Sequence, residues 1–324
     1  MEGAADPVVT RWIRRTLASD PPRAKSLIVT VWGDALAPHG GELWLNALIR
    51  LMAPFGVNDR LVRTSVFRLV RDGWLQARAH GRRSRYRLTS AGLASFERAY
   101  RRIYSAPVPA WNGSWDVVIV PADEDAGRRN ALRDELRWAG FGAFAHSVYA
   151  RPTFADVDVT SAIAKRNAML VHATDLASAQ ANGLASRVGP AFDLPGIASV
   201  YRRYLARFGG MLDAFRVHAE RANAEQAFVV RTLLIHAYRR VSLRDPRLPA
   251  ELLPLDWPGA AAHALARNFY RLTQAQAERF LGRVFAAEND VLPLAAPEFA
   301  ERFGGLDSAS TIVAPRVRPV KAGS

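Results

Sequence analysis

Apolar residues recur at helical spacing in three successive stretches near the start of the chain. Leu27, Ile28, Val31 and Leu36 mark a helix over 26–37, and Leu43, Trp44, Ala47, Leu48 and Leu51 mark a second over 42–52. A third is expected over 58–72, with Val62, Val66, Leu69 and Val70 inward, Asn58 as N-cap and Gly73 as terminator. Two short strands follow, 74–79 and 85–88, then a linker helix over 89–104. Three helices and a hairpin make a winged helix-turn-helix. The residues before it, 1–24, read as a flexible basic leader, because Pro7, Pro21 and Pro22 interrupt helical spacing.

The pattern changes past residue 106. Trp115 to Pro121 is a buried-strand run, 126–139 a helix ended by Gly140, 143–149 a strand and 169–172 another. Strand, helix and further strands predict a ferredoxin-like α+β domain over 106–188. From 189 to 290 the pattern is helical, a C-terminal domain. Its helices are expected at 197–218 (weakened at Gly209 and Gly210), 227–241 behind Asn223, and 258–272. A Thr273 capping box opens the last one. Residues 291–324 form a tail. The fold class is α+β multidomain: a winged helix-turn-helix at 25–105, the ferredoxin-like domain, and a mostly helical end.

The polar positions of the third helix change the picture. Arg60, Arg63, Thr64, Phe67 and Arg71 share the face opposite its apolar stripe. An ordinary surface helix mixes charges of both signs, whereas 58–88 holds nine arginines against two acidic residues. Charge is uneven along the whole chain. Of the net +14, residues 1–105 carry +10, 315–324 carry +3 and the middle only +1. This points to a polyanion-binding module joined to a neutral one. Arginine forks fit phosphates and the guanine edge in the major groove. The DNA-binding candidates are Arg60, Arg63, Thr64, Arg68 and Arg71 on the helix, with Arg82, Arg83 and Arg85 at the hairpin.

Other chemistry is thin. The chain has no cysteine, hence no disulfide, thiol nucleophile or cysteine-based metal site. Its seven histidines show no metal-binding spacing, and no phosphate loop, nucleophile elbow or catalytic triad is present. The expectation is no enzyme, no catalytic residue, no metal and no cofactor. No apolar run is long enough to span a membrane, so a cytoplasmic protein, nucleoid-associated when bound to DNA, is expected. The competing reading is a metal-dependent nuclease centred on Asp116 of the central domain; a third is a DNA-binding protein without a ligand.

Several sequence blocks carry a resemblance. Ser26-Leu-Ile-Val-Thr30, Gly33-Asp34, Gly40-Gly41-Glu-Leu-Trp44, Val62-Arg63-Thr64, Arg71-Asp-Gly-Trp-Leu75 and Gly81 to Thr89 form the first group. His236-Ala-Tyr238-Arg239-Arg240, Asp245 to Pro249, Glu251 to Pro254 and Trp257-Pro258-Gly259 form a second, far downstream. Together they resemble the PaaX family of bacterial repressors of phenylacetic-acid degradation operons. The resemblance covers residues 24 to about 290, the middle mainly by layout. It implies a homodimeric repressor released from operator DNA by phenylacetyl-coenzyme A or another aryl-acyl-coenzyme A. Such an effector carries a 3′-phosphate and a diphosphate, so its site needs basic groups beside an apolar slot. Arg202, Arg203, Tyr238, Arg239, Arg240, Arg244 and Trp257 supply that composition.

Overall fold

The computed structural model describes residues 5–104, 111–121, 126–153, 163, 168–174, 183–218 and 223–306. Two compact units emerge, and neither is continuous in sequence. The first gathers Met1–Ser105, Arg207–His236 and Ala260–Ser324, the second Ala106–Ala206 and Ala237–Gly259. The helical stretch expected at 189–290 is therefore not one body; its segments are shared between the two.

The first unit begins where a flexible leader was expected, with helix α1 (Pro7–Ser19). The Asp6 carboxylate accepts from the amides of Val8 and Val9, and Pro7 occupies the first turn, where a missing N–H costs nothing. Val9 is fully buried, and the buried Gln226 side chain bonds the Asp6 amide, the Asp6 carbonyl and Thr10. Helix α2 (Ala24–Val31) follows and widens into a π turn over Trp32–Leu36. Gly33 sits in that turn, where a Cβ would lie 2.7 Å from the Phe96 ring.

The second expected helix starts late. Glu42–Trp44 is strand β1, its Leu43 buried between half-buried neighbours, a period of two rather than of helix. Helix α3 (Leu45–Met52) comes next, then α4 (Asp59–Arg71), β2 (Leu75–His80), β3 (Arg83–Leu88) and α5 (Ser90–Tyr104). The antiparallel order β1-β3-β2 makes the expected two-stranded hairpin a three-stranded sheet.

The core beneath these elements draws on distant residues. Leu27, Trp32, Leu48, Val62, Val66 and Leu69 share it with Phe228 and Leu233, and with Ala277, Leu281 and Phe285. The last three lie on α10 (Gly259–Ala286), which runs unbroken where two helices were expected. Thr273 opens no new helix there; its hydroxyl donates to the Phe269 carbonyl one turn back.

In the second unit β4 (Trp115–Ile119), α6 (Ala126–Trp138), β5 (Gly142–Ala145), β6 (Val148–Pro152) and β7 (Met169–Ala173) build a sheet of order β5-β6-β4-β7. The single strand expected over 143–149 is a hairpin that turns at residues 146–147. Val118, Leu132, Leu136 and Tyr149 pack between sheet and helix. Helix α7 (Gly183–Ala191) adds Val188 to a cluster with Trp115, Phe192 and Leu248. Helices α8 (Leu194–His218) and α9 (Ala224–Ser242) each contribute to both units. Helix α8 passes through Gly209 and Gly210 without a break. Of the tail expected over 291–324, residues up to 306 are packed, with Phe299, Arg302, Phe303 and Leu306 buried, and those beyond 306 lie outside the described residues.

Candidate nucleic-acid interface

Helix α4 is fixed at both ends. Asn58 Oδ1 accepts from the Leu61 amide at 3.0 Å, as its N-cap position predicts. At the other end Gly73 takes φ +73°, its amide donates to Val70, and the Trp74 amide reaches Leu69. That pair of bonds is a Schellman motif, which glycine permits without strain. Lys25 Nζ at the start of α2 holds the C-cap carboxylate of Asp72 at 2.5 Å. The lysine hydrogen bond outweighs partial desolvation and holds that carboxylate below its usual range.

The fixed helix presents one face inward and one outward. Val62, Ser65, Val66 and Leu69 are buried. Arg60, Arg63, Thr64, Phe67, Arg68 and Arg71 are all exposed. Arg71 has Asp72 at 3.6 Å, while among the described residues Arg60, Arg63 and Arg68 form no ion pair. The Thr64 hydroxyl donates to the Arg60 carbonyl at 2.8 Å, so its proton is committed within the helix.

The hairpin divides its arginines. Arg82 is exposed at the turn beside Gly81, whose φ is +59°. Arg83 is engaged elsewhere: it donates to Glu288 at 2.6 Å and lies 4.2 Å from the Trp44 ring centroid. Arg85 meets Glu42 at 3.0 Å and Asp290 at 3.1 Å. Carboxylates just after α10 thus neutralise two of the three hairpin arginines proposed from sequence. The alternation of β2 and β3 puts Arg78 and Arg87 on the same sheet face, exposed and, among the described residues, without an ion pair. Sequence reasoning missed this pair, although a period of two along the hairpin puts both on the face of Arg85.

The effector candidates fall within the second unit. Arg202 and Arg203 stand exposed on α8, Tyr238, Arg239 and Arg240 on α9, Arg244 just after it and Trp257 in the connector. Arg202 pairs with Asp256 at 2.5 Å, and Arg203 donates to Ser199. The aromatic part is packed: Tyr201 lies edge-on to Trp257 at 5.9 Å and donates to Asp245 at 2.6 Å. Tyr238 is buried against Tyr204, and burial drives the hydroxyls of Tyr201, Tyr204 and Tyr238 upward in pKa. Tyr238, one of the candidates, is therefore core.

Asp116 on β4 has no oxygen to spare. Arg151 grips Oδ2 from two nitrogens at 3.0 and 2.9 Å, and Thr153 and His172 both bond Oδ1 at 2.9 Å. Burial opposes its ionisation, but these bonds outweigh it and keep the carboxyl charged. Among the described residues no group of three or more histidines and carboxylates could hold a metal ion. No helix among them is long and apolar enough to cross a membrane.

The fold and this surface define a class: a mixed α+β, multi-part chain that turns a capped, arginine-faced helix outward. The family profile described as PaaX-like protein matches residues 23–92. The PaaX protein central Cas2-like domain matches 108–187, and the PaaX-like protein C-terminal domain matches 192–283. The transcriptional repressor PaaX of Escherichia coli strain K12 is 34% identical over 300 residues, covering 91% of this chain and 95% of that protein. A solved structure, the uncharacterized protein Rv0674 from Mycobacterium tuberculosis, is 32% identical, with a TM-score of 0.47 over 72% of this chain and 88% of that one. The chain belongs to the PaaX-like family.

Proposed function

We propose that this protein is a DNA-binding transcriptional repressor, in which α4 is the reading helix of a winged helix-turn-helix. The observation that carries the reading is the exposed, ion-pair-free set Arg60, Arg63 and Arg68 beside Arg71 on a helix capped at both ends. Helix α3 precedes α4 through a short turn, and the β2–β3 hairpin, with Arg82 between its strands, would serve as the wing. Thr64 belongs to the reading face through its exposed surface. Arg83 and Arg85 serve by fixing the hairpin. The E. coli relative, a repressor by name, supports the same role.

The finer reading is a homodimeric, cytoplasmic repressor of an aromatic-acid (phenylacetate) catabolic operon, released by phenylacetyl-coenzyme A or another aryl-acyl-coenzyme A. Arg202, Arg203, Arg239, Arg240 and Arg244 would meet the phosphates of such a ligand, with Trp257 toward its aryl end. The order β5-β6-β4-β7 around one helix supports a ferredoxin-like central domain, here given a scaffolding role. Release follows if the ligand binds better to a dimer whose reading helices are wrongly spaced, a population shift.

The test is fluorescence anisotropy on duplex DNA from the promoter upstream of its own gene, at fixed salt because affinity falls steeply with ionic strength. Phenylacetyl-coenzyme A, phenylacetate and coenzyme A are added separately. Specific binding that only the thioester abolishes is the expected result. Absence of sequence-specific binding would sink the repressor reading; specific binding indifferent to all three would sink the effector.

A further inference from the structure

Helix α4 buries a serine and exposes a phenylalanine. Ser65 is 7% exposed within the core-facing stripe, whereas Phe67 is 68% exposed on the opposite face. A helix selected only to fold would favour the reverse arrangement, since aromatic surface gains most from leaving water. Phe67 stands one turn from Arg63 and Arg71 and two turns from Arg60, so cations surround it. Whatever covers Phe67 must be apolar at its centre and anionic around it.

A DNA major groove offers that combination. Its walls are phosphates, and the apolar group on its floor is the 5-methyl of thymine, which phenylalanine and threonine methyl groups contact. An A-form RNA helix does not, because its major groove is too narrow for side chains and uracil lacks the methyl. Thr64, beside Phe67 on this face, has its hydroxyl proton committed to the Arg60 carbonyl. What it adds outward is chiefly a methyl group.

We propose that Phe67, flanked by Thr64, is a thymine-reading residue: it covers a thymine 5-methyl in each half-site while the surrounding arginines hold guanine edges and phosphates. This rests on the DNA-reading assignment of α4. It adds a specificity that arginines alone do not supply, discrimination of thymine from any base lacking that methyl.

The experiment replaces thymines of the promoter duplex, one at a time, by deoxyuridine, which removes the methyl and leaves base pairing intact. Full-length protein and its Phe67→Ala and Phe67→Leu variants are compared by anisotropy at fixed salt. The wild type should lose affinity about fourfold at one thymine per half-site, the worth of one buried methyl group. Phe67→Ala should bind the thymine duplex correspondingly less well and be indifferent to deoxyuridine there, while Phe67→Leu keeps part of the discrimination. Because Phe67 is exposed, the variants should melt with the wild type.

If Phe67→Ala still distinguishes thymine from deoxyuridine at that position, the proposal is overturned while α4 keeps its DNA role. Specific wild-type binding unaffected by every deoxyuridine overturns it too. So does a Phe67→Ala protein that binds DNA normally but changes oligomeric state, which would make this face a contact between copies. A wild type without sequence-specific binding removes the underlying reading itself.

Discussion

Arg302 and Asp34 lie 268 residues apart and meet in the core of the first unit. One guanidinium nitrogen of Arg302 donates to both the Asp34 main-chain carbonyl, at 2.9 Å, and its carboxylate, at 3.2 Å. Arg231 approaches the other carboxylate oxygen at 3.1 Å, and the Tyr104 hydroxyl donates to the first at 2.6 Å. Arg302 also lies 4.1 Å from the Tyr104 ring centroid and 4.7 Å from that of Phe299. Asp34 belongs to the π turn after α2, so within the first unit this cluster joins that turn to α5, α9 and the turns that follow α10.

Removing one partner from such a cluster strands a charge without water. Asp34→Asn should cost about 3–5 kcal/mol, because the fully buried Arg231 and Arg302 would face each other without their shared anion. Urea denaturation checks this through the midpoint. A shift no larger than that of a surface substitution would show that the cluster carries little stability.

On the reading face, Arg63→Ala should cost roughly 1–3 kcal/mol against the operator and relax discrimination at one base pair. Arg82→Ala should instead weaken binding to all duplexes alike and lower the salt slope by about one. Anisotropy against operator and scrambled DNA over a salt series separates the two. Equal loss on both duplexes for Arg63→Ala would make it a phosphate contact.

Arg83→Ala tests the division within the hairpin. Since Arg83 is held by Glu288 and Trp44, its loss should lower stability by about 1 kcal/mol with little change in salt slope. Paired melting and salt-series measurements decide. A fall in slope matching that of Arg82→Ala would place Arg83 on a phosphate.

Acid should act through Glu278. Burial resists its ionisation, but hydrogen bonding from His39 and the charge of Arg231 outweigh burial and bring its pKa from 4.5 to about 2. A depressed carboxyl contributes stability that is present above its unfolded value and lost as pH falls through the folded one. The gap in stability between wild type and Glu278→Gln, roughly 3 kcal/mol, should hold above about pH 5 and close toward pH 2. A gap that does not change between pH 6 and 3 would exclude this linkage.

How much of this was legible in the sequence depends on the range of the interaction. The cap at Asn58, the apolar spacing of Val62, Val66 and Leu69, and Gly73 are all local, and they marked α4 and its outward face. Strand β1 was hidden because three residues of alternation sit beside a strong helical period, and its partner β3 lies some forty residues on. The leader helix was legible in Asp6-Pro7, a cap followed by an N1 proline, because proline breaks a helix only beyond its first turn. The partners of Arg83 and Arg85 at Glu288 and Asp290 have no local signature. Arg231 did leave a trace: an arginine inside Ala-Phe-Val-Val-Arg-Thr-Leu-Leu-Ile needs a buried anion, though the run does not say which one.

The order of synthesis now acquires a meaning. A ribosome adding about 5–20 residues per second releases Asp34 and α4 tens of seconds before Arg302 emerges. For most of that interval the nascent first unit lacks Leu281 and Phe285 from its core, Glu288 beside Arg83 and Asp290 beside Arg85. Translation that stops early should therefore leave a fragment with an unfinished core, not a free-standing competitor for DNA. The core beneath α4 thus rests on residues made long after the helix itself.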